Sequence, residues 1–239
     1  MMTRYRWTLR ILGGCLLGIA AMIMCYYVYE LLIRGMDTLF PALRCILLVC
    51  APLFSGMALL DLSTPLQSER QKVGRIVFRV LFGFYLLALF GTLVFCRISL
   101  TDFAGDWAAY MADWELMTNF VPFKTIGLYI RCLRYDFIGT AIPLSNLMGN
   151  VLLFMPMAVF LPCLFPSTRR FFRFLLLMVA ILVAVEALQL ALCCGSCDID
   201  DVILNLLGTL PAYGLTMAPR VRGLLERVGF YVPEPAVEH

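Results

Sequence analysis

Runs of about 20 consecutive apolar residues constrain this chain more than anything else in it. An α-helix rises about 1.5 Å per residue, so a run of that length matches a hydrocarbon core about 30 Å thick. Six runs qualify, at residues 11–33, 40–60, 76–96, 144–165, 172–194 and 201–218. Each is continuously apolar rather than alternating, which suits a helix that satisfies its own backbone groups and not a barrel strand. With 62% of residues apolar and 15% charged, the chain has too little polar surface for a domain solvated by water. The expected fold is therefore all-α, a polytopic transmembrane helix bundle of about six spans. It divides into three N-terminal helices (1–96), a long loop (97–143), three further helices (144–218) and a tail (219–239).

The basic residues orient the bundle. Arg4, Arg6 and Arg10 precede the first run, and Arg70, Lys72 and Arg75 precede the third. Arg169, Arg170 and Arg173 surround the entry to the fifth, and Arg220, Arg222 and Arg227 follow the sixth. In a six-span arrangement all four clusters fall on one side, so the positive-inside rule places both termini in the cytoplasm and the long loop outside. A targeting signal is not the expectation at the N-terminus. Only Ile11 and Leu12 separate Arg10 from the cleavage-like Gly13-Gly14-Cys15, far short of a signal-peptide core of about 7–15 residues. The first helix is read as uncleaved, with Gly14 and Gly18 as a close-packing pair.

The long loop has a pattern of its own. Phe103, Trp107, Tyr110 and Trp114 recur at helical spacing with Asp102, Asp106 and Asp113 beside them, which predicts an interfacial helix. An aromatic belt around ordinary loop ends fits the same residues. Ile126, Tyr129, Ile130, Leu133 and Phe137 repeat the helical period further on. Between them lies NFVPFKTI, residues 119–126, whose Asn119, Lys124 and Thr125 are expected to cover a polar site as a partial lid. Pro122 would fix the turn and Phe123 would anchor it in the interface.

Polar residues inside the later runs converge on the same external end. Asn146 and Asn150 lie one turn apart near the start of the fourth run, and Glu186 and Gln189 share a face in the outer half of the fifth. Asp198, Asp200 and Asp201 form the turn into the sixth, and Asn205 lies one turn below Asp201. Glu186 is about eight residues, roughly 12 Å, from its helix end. An acid so placed is costly to insert, which marks it for a substrate, a partner or a packing hydrogen bond. The three aspartates serve equally as a solvated helix start, where negative charge is favourable, and the asparagines equally as interhelical glue. Small residues below Asp201 and Asn205, namely Gly208 and Ala212, suit close helix approach, and Pro156 and Pro211 are expected to bend their helices.

Other chemistries are poorly served. The single histidine is His239, so a histidine-based general base is absent, and no phosphate loop, dinucleotide fingerprint or nucleic-acid module is present. Cys193, Cys194 and Cys197 cluster near the acidic turn, open to a metal, to a disulfide with Cys132, or to remaining free. The spacing is a weak zinc signal.

Three segments taken together resemble a known family. NFVPFKTI, then NLMGNVLLFMPMAVFLP at 146–162, then VEALQLALCCGSCDIDDVILNLLG at 185–208, are similar to the signatures of VanZ-like membrane proteins, in that family's order. The resemblance implies a multi-pass protein of the bacterial cytoplasmic membrane, associated with resistance to the glycopeptide teicoplanin. By position the pattern falls on Asn119, Pro122, Phe123, Thr125, Asn146, Gly149, Asn150, Phe154 and Pro156. It continues on Glu186, Gln189, Asp198, Asp200, Asp201, Asn205 and Gly208. Many members carry an arginine shortly before the acidic turn, where this chain has Cys193-Cys194-Gly195-Ser196-Cys197. Arg131 or Arg134 would then have to supply the guanidinium.

Three classes of function remain. The first is an envelope factor that binds a lipid-linked cell-wall precursor, or an amphiphile such as a glycopeptide, at the outer leaflet, with membrane lipids as neighbours. The second is a metal-assisted enzyme acting on a lipid-linked phosphate or sugar, with Glu186 as acid or base. The third is a proton-coupled transporter using the same carboxyl.

Overall fold

The computed structural model describes residues 8–9, 11–16, 18–19, 22–23, 67–95, 112, 114–135, 140–192 and 195–231. These form two compact units, Met1–Ala88 with Pro219–His239, and Leu89–Ala218. The chain is all-α, a membrane helix bundle. Its helices are α1 (Gln67–Phe90), α2 (Lys124–Tyr135), α3 (Ala141–Leu153), α4 (Met157–Leu164), α5 (Phe171–Ala191), α6 (Ile199–Met217) and α7 (Pro219–Val228). A short helix, Trp114–Met117, precedes α2.

Among the described residues three helical stretches are long and apolar enough to cross a membrane: Gly74–Leu93, Ala141–Leu164 and Phe171–Ala191. Counting Ile199–Met217 together with Pro219–Val228 makes four. The first three match the third, fourth and fifth expected runs to within three residues at each end, and the sixth run, 201–218, falls within the bent pair. The runs at 11–33 and 40–60 lie largely outside the described residues, as does the aromatic stripe from Phe103 to Tyr110.

Pro156 does more than bend its helix. It has no N–H to give to the ladder, α3 stops at Leu153, and a turn intervenes before α4 begins with Pro156 as its N-cap. Pro211, by contrast, sits inside an unbroken α6. Helix α6 packs closely on α3 because Gly208 has no side chain. A Cβ there would lie 2.8 Å from the Val151 carbonyl carbon and nearer still to its oxygen. Further along α6, Tyr213 stacks on Phe174 with ring centroids 4.1 Å apart, and its hydroxyl donates to the Arg169 carbonyl at 2.8 Å. The buried core between them includes Phe154, Ala158, Cys163, Phe174 and Met178.

In the first unit, Phe230 stacks on Phe78 at 4.4 Å, and Gly229, at φ +85°, passes over the backbone of Gln71.

Candidate functional site

Two short segments make the site, and each completes the other. Thr118–Asn119 and Cys197–Asp198 pair as a two-residue parallel ladder, Thr118 opposite Cys197 and Asn119 opposite Asp198. The NFVPFKTI turn then folds over the acidic turn. Asp200, fully buried, accepts backbone N–H groups from Phe123 at 2.5 Å, Thr125 at 2.7 Å and Ile126 at 3.1 Å. The first N–H groups of a helix have no partner within it. Asp200 therefore caps α2 from 75 residues away, while standing in the first turn of its own helix α6, where the dipole also favours negative charge.

Asp198 ties the same knot from the other side. Its Oδ1 accepts the Asn119 amide at 2.8 Å and the Asp200 N–H at 2.8 Å, and its Oδ2 accepts the Thr125 hydroxyl at 2.6 Å. Asn119 also donates to Thr125 and receives the Val121 N–H on its own oxygen. Phe123 holds φ +65°, the one non-glycine residue with positive φ among the described residues. That conformation is unfavourable for a bulky side chain, and the hydrogen bond to Asp200 helps to hold it. Phe120, Val121 and Phe123 are left exposed at the tip.

Beside the knot lies a cavity of about 280 Å³, lined by Glu115, Thr118, Asn119, Lys124, Thr125, Tyr129, Asn146, Ser196, Asp198 and Asp201. Lys124 thus shares one space with Asp198 and Asp201 of the acidic turn. Of the residues expected at the site, Asn119, Lys124, Thr125, Asn146, Asp198 and Asp201 line this cavity. The other five stand behind it or elsewhere. Asn150 donates to Asp201 Oδ1 at 2.5 Å, fixing that carboxylate from α3. Buried Glu186 accepts the Asp198 N–H on Oε2 at 3.0 Å, so it positions the acidic turn from α5. Asp200 is the cap already described. Gln189 donates to the Leu93 carbonyl in the π-helical turn Gly91–Phe95 that follows α1. Asn205 donates to the Asp201 carbonyl one turn above it.

Glu115, Thr118, Tyr129 and Ser196 line the cavity without having been expected there. Tyr129 had been read as part of an apolar helical face, and the other three carry no motif. Arg131 and Arg134, considered as replacements for a missing arginine, are not among the lining residues. Arg131 donates to the Gly127 carbonyl and Arg134 lies over the Tyr135 ring.

Cys132 and Cys197 are free thiols, which corrects the idea of a disulfide between them; Cys193 and Cys194 lie outside the described residues. Burial, and then the charges of Glu186 and Asp198, push the Cys197 thiol above its ordinary pKa. It is therefore a weaker nucleophile and metal ligand at neutral pH than a free cysteine. Among the described residues no three histidine, cysteine, aspartate or glutamate side chains are grouped to hold a metal ion.

No curated protein and no solved structure matches this chain. A sequence profile does: that of the VanZ/LLP1 family matches residues 82–220, from the middle of α1 into α7 and including every residue of the knot and the cavity. With more than half of its length matched, the chain belongs to the VanZ/LLP1 family.

Proposed function

We propose that this protein is a multi-pass envelope factor of the bacterial cytoplasmic membrane that binds the polar head of an amphiphile from the outer leaflet, with a role in glycopeptide tolerance or envelope maintenance. The observation that carries this reading is the polar cavity beside the knot of NFVPFKTI and the acidic turn. Its walls mix amides, hydroxyls and charges, and the adjoining tip exposes Phe120, Val121 and Phe123. A cavity of about 280 Å³ sits at the lower edge of small-molecule sites. It suits a headgroup and not a whole glycopeptide, so a lipid-linked precursor or other membrane amphiphile is the better occupant.

The orientation rests on the four basic clusters, which put the cavity outside. In a background lacking accessible native thiols, an impermeant maleimide should label Ser196→Cys in intact cells but Ser167→Cys only after permeabilisation. Both positions are exposed, so access and not burial decides the result. The reverse pattern would turn the protein over and end the outer-leaflet proposal.

Function is tested by filling the cavity from its rim. Ser196→Trp, and separately Lys124→Glu, should remove whatever teicoplanin tolerance the wild-type chain confers on a susceptible host, at unchanged membrane abundance. Full tolerance in both variants would rule the cavity out. A wild-type chain without effect on teicoplanin susceptibility would remove the glycopeptide role and leave envelope maintenance to be scored by growth under cell-wall stress. The enzyme reading finds no ready cation site among the described residues, and the transporter reading must contend with a Glu186 already bonded to the Asp198 backbone.

A further inference from the structure

The charges facing the cavity are mismatched with one another. Among the described residues of the lining, three carboxylates, Glu115, Asp198 and Asp201, face one ammonium, Lys124. Asp198 is committed to the knot through both oxygens, and Asp201 receives Asn150. Glu115 and Lys124 differ from these. Both are exposed and line the same space, yet among the described residues neither side chain is engaged in a hydrogen bond or ion pair. The Asn146 amide nitrogen is given to the Ile142 carbonyl, which leaves its oxygen as an acceptor.

We infer that the cavity takes a zwitterionic lipid headgroup in which a primary ammonium is joined by a short linker to a phosphate, the chemistry of an aminophospholipid; this rests on the headgroup reading above. The ammonium, with three donors, meets Glu115 and its acceptor-rich surroundings, and the phosphate meets Lys124. A purely anionic head would set its charge against Glu115 and its neighbours, and a purely cationic one would leave Lys124 unpaired. A quaternary ammonium has no N–H to donate and is normally held by a cage of aromatic rings, whereas Tyr129 is the one aromatic side chain among the described residues of this lining. A lipid is favoured over a soluble zwitterion by the tip. Phe120 and Phe123 are 63% and 64% exposed and immediately adjoin the lining residues Asn119 and Lys124, so the mouth stands where acyl chains are available.

The test uses the full-length protein, incubated with vesicles of equimolar phosphatidylethanolamine, phosphatidylcholine and phosphatidylglycerol carrying identical acyl chains. The protein is then extracted, and retained lipid is quantified by mass spectrometry. Phosphatidylethanolamine should be retained about tenfold over either competitor, the discrimination that one lost charge-assisted hydrogen bond produces. Glu115→Gln should remove most of that preference, and Lys124→Gln should lower the retention of phosphatidylethanolamine itself. Both side chains are exposed and make none of the hydrogen bonds of the knot, so these variants should fold. Soluble O-phosphoethanolamine at the same concentration should not displace the lipid.

Equal retention of all three lipids overturns the inference, and so does a preference that survives Glu115→Gln or a retention that Lys124→Gln leaves unchanged. Retention of phosphatidylethanolamine and phosphatidylcholine alike, lost in Lys124→Gln alone, would show that the cavity reads phosphate and not the amine; the headgroup reading would stand without this inference. Displacement by O-phosphoethanolamine would make the cavity a site for a small solute and not for a lipid. Loss of tolerance in Ser196→Trp with no lipid preference would separate the two proposals in the other direction.

Discussion

Asp200→Ala is expected to lower stability by about 3–5 kcal/mol, the range for removing one side of a buried, charged hydrogen-bond cluster. The fully buried carboxylate receives three backbone N–H groups from the loop, and no other partner for them exists in that turn. The loss should be local first. Without its cap, α2 should open, and trypsin should cut after Lys124, Arg131 and Arg134 under conditions that leave the wild type intact. Asp200→Asn is not a gentle control. It keeps one acceptor oxygen but turns an amide NH2 toward backbone donors, so an intermediate loss is expected, with reduced abundance. Thermal unfolding in detergent, followed alongside the proteolysis, measures both effects. A midpoint for Asp200→Ala equal to wild type, with no new cleavage, would mean that the knot holds without its central carboxylate.

The sequence and the structure agree where a property is carried by long apolar runs and separate where it is carried by single hydrogen bonds. The last four runs were legible because twenty residues of one character leave few choices, and the described helices follow them. The meeting of Asn119, Lys124 and Thr125 with the acidic turn was also foreseeable, since a polar loop and a polar helix start on one side of a membrane have few other partners. Roles within that meeting were not legible. Glu186 stood out by its depth, but its bond to the Asp198 N–H depends on how the turn curls back over α5, which no spacing reports. Gln189 shares a helical face with Glu186, yet its amide goes to Leu93, 96 residues away, a pairing set by how helices pack. Asp200 and Asp201 are adjacent and chemically identical. One is a buried cap and the other lines the cavity, because successive residues at a helix start point in different directions. The ladder between Thr118–Asn119 and Cys197–Asp198 is too short to carry any periodicity.

The close approach of α3 and α6 connects the membrane-embedded packing to the cavity, and Gly208 is where it can be broken. In an open helical position, replacing glycine by alanine stabilises by up to about 1 kcal/mol, because the backbone of alanine has less freedom to lose. Gly214, also on α6, has nothing within 4 Å of where a Cβ would stand, so Gly214→Ala should show that gain. Gly208→Ala should do the opposite. Its Cβ would meet the Val151 carbonyl carbon at 2.8 Å and Cα at 3.2 Å, and these are backbone atoms that cannot rotate away. The helices must separate, at a cost of about 3 kcal/mol or more, the upper end for overpacking, which outweighs the gain in propensity. Asn150, the residue before Val151, holds Asp201 at the cavity wall, so separation should also loosen that carboxylate. The expected result is a lower unfolding midpoint for Gly208→Ala together with weakened lipid retention, while Gly214→Ala retains lipid normally and melts at or above wild type. A Gly208→Ala protein as stable as Gly214→Ala would show that α3 and α6 do not pack this closely, and the route from helix packing to the cavity would fall with it.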